Sequence, residues 1–138
     1  MKKDTMIICE IGMNHMGDTA YADEYLNAVE VLRPDGLTFQ VREKAYYAKQ
    51  KEGESPFLSD DYYRSAALRT QRAGIKFGVA VCEAERVPFF EEIGTDFYKV
   101  LSKDIGNREL VASVLATGKP VYVSTGTSSE EDIDAFLA

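Results

Sequence analysis

The chain has 138 residues, 45% hydrophobic and 28% charged, enough for one α/β-sized domain that buries on the order of two-thirds of its unfolded surface. With 16 basic against 23 acidic side chains the net charge is −7. That sign, without any basic run, excludes an electrostatic partnership with nucleic acid or an anionic membrane, though not a local anion site. Neither a signal peptide nor a run of membrane-spanning length is read, so no membrane role and a cytoplasmic location are expected.

In chain order, Met6 to Ile11 reads as a strand carrying the carboxylate of Glu10, and a Gly/Asn/His-rich turn from Gly12 to Gly17 follows. Thr19 to Leu32 reads as a helix with Asp18 or Thr19 as its cap. Ala22, Tyr25, Leu26, Val29 and Leu32 recur at helical spacing. Arg33-Pro34-Asp35-Gly36 stops it, because proline cannot continue a helix and Asp-Gly favours a turn. Leu37 to Val41 is the second strand, and the charged stretch from Arg42 to Ser55 reads as a long loop at its C-terminal end. A helix opens at Ser59-Asp60-Asp61 and runs to Arg72, with Gly74 beyond it.

Lys76 to Val81 is the third strand. The helix predicted from Glu83 to Ile93 contains Pro88, so it starts late or bends. Asp96 to Leu101 is the fourth strand, Asn107 to Thr117 the fourth helix and Lys119 to Ser124 the fifth strand. A fifth helix runs from Ser128 to Leu137, where Ser128-Ser129-Glu130-Glu131 is close to a capping box. Five βα units in one α/β domain spanning residues 1–138, with a parallel sheet, are therefore predicted.

Strand parity then separates two faces. In the third strand bulky Phe77, Val79 and Val81 oppose small Gly78, Ala80 and Cys82; in the second, Leu37 and Phe39 oppose Thr38 and Gln40. A bulky face toward helices and a mixed, polar face inside favour a partial (β/α)₈ TIM barrel of about five units. The alternative is an open five-stranded flavodoxin-like sheet, which has the same number of units. A phospho-receiver version of that sheet needs an acidic cluster, and the third strand ends in Ala80-Val81-Cys82.

On the inner parity, polar groups stand at or near the C-terminal strand ends: Glu10, Thr38 with Gln40, Lys99, and Ser124. Ser102 follows the fourth strand. A lysine and hydroxyls beside a helix N-terminus suit a small anionic, polyhydroxylated ligand. The plainer reading makes Glu10 and Lys99 an ion pair and Ser124-Thr125-Gly126 a turn. Cys9 and Cys82 read as small buried fillers. His15 is the sole histidine, so one chain cannot build a His-cluster metal site.

Four segments resemble the sialic acid synthases. Cys9-Glu10-Ile11-Gly12-Met13-Asn14-His15-Met16-Gly17 is similar to the family's A-E-I-G-x-N-H-x-G, and Leu37-Thr38-Phe39-Gln40 to V-K-F-Q. Tyr98-Lys99-Val100-Leu101-Ser102 resembles Y-K-I-x-S, and Gly118-Lys119-Pro120-Val121-Tyr122-Val123-Ser124-Thr125-Gly126 resembles G-K-P-V-I-L-S-T-G.

The resemblance implies a TIM barrel that condenses phosphoenolpyruvate with an N-acyl-hexosamine of the N-acetylmannosamine type, yielding a nine-carbon keto acid and phosphate. It implies Lys99, Ser102 and Ser124 as phosphoenolpyruvate ligands, with Glu10 as the catalytic carboxylate and Gln40 beside it facing the sugar. It also implies Mn²⁺ or Mg²⁺, whose histidine ligands belong to later strands, and a C-terminal antifreeze-like domain; neither is expected within these residues. Two positions depart from the pattern. Thr38 replaces a phosphate-clamping lysine, and Val79-Ala80 stands where the family has Ser-Thr. Charge-assisted contacts are each worth up to about 3 kcal/mol, so weakened phosphoenolpyruvate binding is expected. Five units cannot close a barrel, so a homo-oligomer or a complementary barrel portion is the expected partner, and the isolated chain is expected to be inactive.

Overall fold

The computed structural model describes residues 5–51 and 53–138; the first four residues, part of the leader reading above, lie outside them. Five strands alternate with six helices: β1 Ile8–Gly12, α1 Thr19–Leu32, β2 Gly36–Val41, α2 Lys44–Tyr47, α3 Asp60–Arg72, β3 Lys76–Val81, α4 Val87–Glu92, β4 Phe97–Val100, α5 Arg108–Leu115, β5 Val121–Val123 and α6 Glu130–Leu137.

All neighbouring strands are parallel and the sheet order is β1-β2-β3-β4-β5. A flavodoxin-like sheet would place β2 outside β1, in the order 2-1-3-4-5. Sequential order is that of a barrel wall, so the open-sheet alternative is set aside.

Local sequence explains the helices. Asp18 caps α1 by accepting from the Ala20 and Tyr21 amides, and Arg33 closes it in the left-handed region. Ala22, Leu26 and Val29 are buried along its inner stripe, whereas Leu32 turns out to solvent. Ser59 caps α3. As Pro88 foretold, α4 starts late: a 3₁₀ turn at Ala84–Arg86 precedes it, and the proline sits in its first turn, where its missing amide costs nothing. Ser129, not Ser128, forms the capping box of α6, with Asp132 as its partner. The Arg42–Ser55 stretch is not wholly irregular, since it holds the short helix α2.

The helix-facing side of the sheet is the core. Leu37, Phe39, Phe77, Val79 and Tyr98 are completely buried there, against Leu26, Tyr63, Phe90 and Leu110. Each large side chain so buried contributes about 1.5–3 kcal/mol.

The opposite face is concave. At its base the Phe97 ring lies over Gly36 and Gly78; a Cβ at Gly78 would stand 2.3 Å from that ring. Tyr122 packs edge-on against Phe97 with centroids 5.4 Å apart, and its hydroxyl donates to the Met6 sulfur across the sheet. The inner face is thus apolar at the bottom and polar at the top.

Candidate functional site

Glu10 stands at the rim because of a bulge. β1 pairs Glu10 with Thr38 but Gly12 with Phe39, so Ile11 is extra. Ile11 is buried with the core while Glu10 keeps the inner parity, and Gly12 takes the left-handed conformation that ends the strand. The following turn is tied down locally. Asn14 donates through its side chain to the Ile11 carbonyl at 2.9 Å, and the Gly17 amide donates to His15 Nδ1 at 3.1 Å. Gly17 is required there: its φ is +81°, and a Cβ would meet the Ser55 carbonyl oxygen at 2.1 Å.

His15 is fully buried against Phe39. Burial holds its imidazole below the ordinary range, against a backbone contact with Gly12. Since Nδ1 accepts, the proton belongs on Nε2, which has no partner among the described residues. His15 and Asn14 therefore shape the turn.

Lys99 on β4 forms an ion pair with Glu10 on β1. These strands are three spacings apart, about 14 Å in a flat sheet. Side chains that stand perpendicular to the strands meet over that span because the wall curves. The pair is asymmetric: the Lys99 side chain is 17% exposed and that of Glu10 60%. The ammonium is sheltered, while the carboxylate lies at the open side.

Ser124 follows β5, and its amide donates to the Val100 carbonyl at 2.9 Å, which sets it beside the end of β4. Ser102 opens a 3₁₀ turn there, and its carbonyl accepts from Ser128 Oγ at 3.5 Å. Gln40 is half-buried on β2, in register with Ala80. Thr38, next to Gly78, is buried. Glu10 and Lys99 are thus brought into contact. The side chains of Gln40, Ser102 and Ser124 share the same strand ends, without a hydrogen bond to that pair among the described residues.

A charged network not read from the sequence braces the same rim. Glu43 accepts from Arg42 Nε at 2.8 Å and from Lys103 Nζ at 2.7 Å; Lys103 also reaches Asp104 at 2.7 Å. Burial alone would raise the Glu43 pKa, but the Lys103 hydrogen bond, a backbone amide and Arg42 hold it down to about 2. Arg42 also lies over the Tyr46 ring at 4.0 Å. The network ties the β2 corner to the β4 corner. Cys82, at the end of β3, is a buried free thiol that burial pushes up to about 12, so it stays protonated. Cys9 is free and half-buried.

Among the described residues no three His, Cys, Asp or Glu side chains converge in a group able to hold a metal ion, and Glu10 is engaged by Lys99. The described residues do not form a divalent-metal site by themselves. No helix among them is long and apolar enough to cross a membrane.

Known proteins share this sequence and architecture. Mouse N-acetylneuraminate-9-phosphate synthase is 27% identical over 146 aligned positions, which cover 93% of this chain and 41% of the mouse protein. The N,N'-diacetyllegionaminic acid synthase of Campylobacter jejuni is 22% identical over 154 positions, covering 98% of this chain and 46% of that one. The chain therefore spans under half the length of these curated relatives. In fold it matches the crystal structure of the N-acetylneuraminic acid synthetase of Leptospira borgpetersenii with a TM-score of 0.84 at 24% identity, over 96% of this chain and 48% of that one. The NeuB family profile matches residues 27–138, from within α1 through the Lys99, Ser102 and Ser124 strand ends to α6. By that match, the chain belongs to the NeuB family.

Proposed function

We propose that these residues form the anion-holding wall of a synthase that condenses phosphoenolpyruvate with an N-acyl-hexosamine to a nonulosonic acid, releasing phosphate. The observation that carries this reading is the Glu10–Lys99 pair. A sheltered ammonium already receives a carboxylate oxygen, as it would from phosphoenolpyruvate. On substrate entry Lys99 exchanges one carboxylate for another, and Ser102 and Ser124 donate hydroxyl hydrogen bonds to the same anion. The freed Glu10, with Gln40 beside it on the inner parity, then faces the sugar and the reacting carbons. A bound carboxylate near a developing hydroxyl is suited to proton transfer.

By themselves the 138 residues are proposed not to turn over. Glu10 remains 60% exposed, so its side of the site is unlined. A further copy, or a complementary barrel portion, would line it. Thr38 and Ala80, in place of the lysine and hydroxyl of the family pattern, favour a second reading: a binding or scaffold module without catalysis. Phosphate release from phosphoenolpyruvate by the chain alone, dependent on N-acetylmannosamine and Mn²⁺, would overturn the proposed inactivity and this second reading with it.

The direct test is calorimetric titration of phosphoenolpyruvate into the chain and into Lys99→Ala. Saturable binding lost in the variant is expected. Absence of binding to a folded sample would overturn the anion-site assignment.

A further inference from the structure

The end of β4, which leads through Lys99 to Ser102, is zipped into the sheet on one side only. Toward β5 the pairing runs to Val100–Val123, and the Ser124 amide continues it. Toward β3 the register stops early, at Gly78–Phe97 and Val79–Tyr98. By contrast β2 and β3 are paired from Gly36–Lys76 to Val41–Val81, and the Cys82 amide adds a further bond to Val41. Lys99 and Ser102 therefore reach the rim without a strand ladder to fix them on the β3 flank.

A side-chain tie spans that flank. Glu43, two residues past β2, accepts at 2.7 Å from Lys103 Nζ, three residues past β4, and so crosses the end of β3 between them. Both ends of the tie are anchored. At one, Glu43 also accepts from Arg42 Nε, and the neighbouring Lys44 amide donates to Glu83 just past β3. At the other, Lys103 donates to buried Asp104, inside the 3₁₀ turn that Ser102 opens. Lys103 is next to Ser102, so holding its ammonium on two carboxylates restrains the turn.

Neither stability nor attraction accounts for this arrangement. The Lys103 side chain is 40% exposed and that of Glu43 29%, and pairs this open add little to folding. Arg42 and Lys103 against Glu43 and Asp104 sum to zero, so the four together exert no net pull on an anion. What they supply is a span of fixed length between two corners of the rim.

We propose that Glu43 is a positioning residue for the anion site: through Lys103 it holds the turn after β4 so that the Ser102 hydroxyl stands where it donates to phosphoenolpyruvate. This role rests on the phosphoenolpyruvate reading above and adds to it a residue that touches no substrate.

The reach and the charge of Glu43 can be varied separately. Glu43→Asp keeps the charge and draws the carboxylate back by a methylene, away from Lys103. In the calorimetric titration it should weaken phosphoenolpyruvate about tenfold, the worth of the Ser102 hydrogen bond, with an unchanged melting temperature. Glu43→Gln keeps the reach and an acceptor for Lys103, and should bind as the parent does. Amide shifts caused by Glu43→Asp should centre on Ser102, Lys103 and Asp104. A Glu43→Asp variant that binds as tightly as the parent overturns this role alone. So does a Glu43→Gln variant weaker than Glu43→Asp, because charge and not reach would then carry the effect. No binding by the folded parent chain overturns the phosphoenolpyruvate reading and this role with it.

Discussion

The two faces of the sheet are built to different standards. Toward the helices, Phe39, Phe77 and Val79 are sealed among other apolar side chains. On the concave side of the same sheet sit an ion pair whose carboxylate is open to solvent, half-buried Gln40 and two serines at the rim. Alternate residues along one strand therefore serve opposite needs. Stability comes from the positions that need no water, and reactivity from those that keep some.

The largest test of this contrast removes a sealed ring. Phe77→Ala should cost about 3–5 kcal/mol, read from urea unfolding, because the cavity left behind adds to the lost transfer energy. Gly78→Ala, one residue on and facing inward, probes the exception. Its Cβ would strike Phe97, and about 1–3 kcal/mol should be lost as that ring shifts. If Gly78→Ala were neutral, the concave base would be loosely packed and the two faces would differ more than described.

Charge changes should barely move the fold. Lys99→Ala removes a pair whose acidic partner is mostly solvated, so stability should change by no more than about 1 kcal/mol while phosphoenolpyruvate binding disappears. Glu10→Gln leaves Lys99 without its internal carboxylate and should tighten phosphoenolpyruvate binding in the same calorimetric assay. A weaker complex would mean that Glu10 orients the lysine and does not compete for it.

The smallest effect is a pH signature. Glu43 is held down to about 2 from 4.5, so its contribution is complete above about pH 4.5 and fades as acid approaches pH 2. Replacing Lys103 by Met should therefore lower neutral-pH stability by less than about 1 kcal/mol at this partly exposed pair, and the gap from the parent protein should close as the pH falls toward 2 in an acid-unfolding series.

Much of this was legible in the sequence, for local reasons. An Asp18 cap and an Arg33-Pro34 stop bracket α1, so its limits read directly. The polar groups at the strand ends were visible through parity, as was the sequential barrel wall they imply. The rest depends on contacts that no local pattern encodes. The Ile11 bulge requires knowing how β1 pairs with β2, and the rim network joins Glu43 to Lys103 across 60 positions. Two adjacent charge pairs, Arg42-Glu43 and Lys103-Asp104, each just past a strand end, were the available signal. The plug of Phe97 in its glycine seat escaped for a similar reason: the ring shares parity with Lys99, and only the register shows what lies beneath it.

That plug has a mechanical consequence. Phe97 wedged over Gly36 and Gly78, with Tyr122 reaching Met6, fixes the bend of the wall from within. Five strands held at a set curvature are preorganised. A surface that completes the arc would meet a rim already in its bound shape and would lose little conformational entropy in docking.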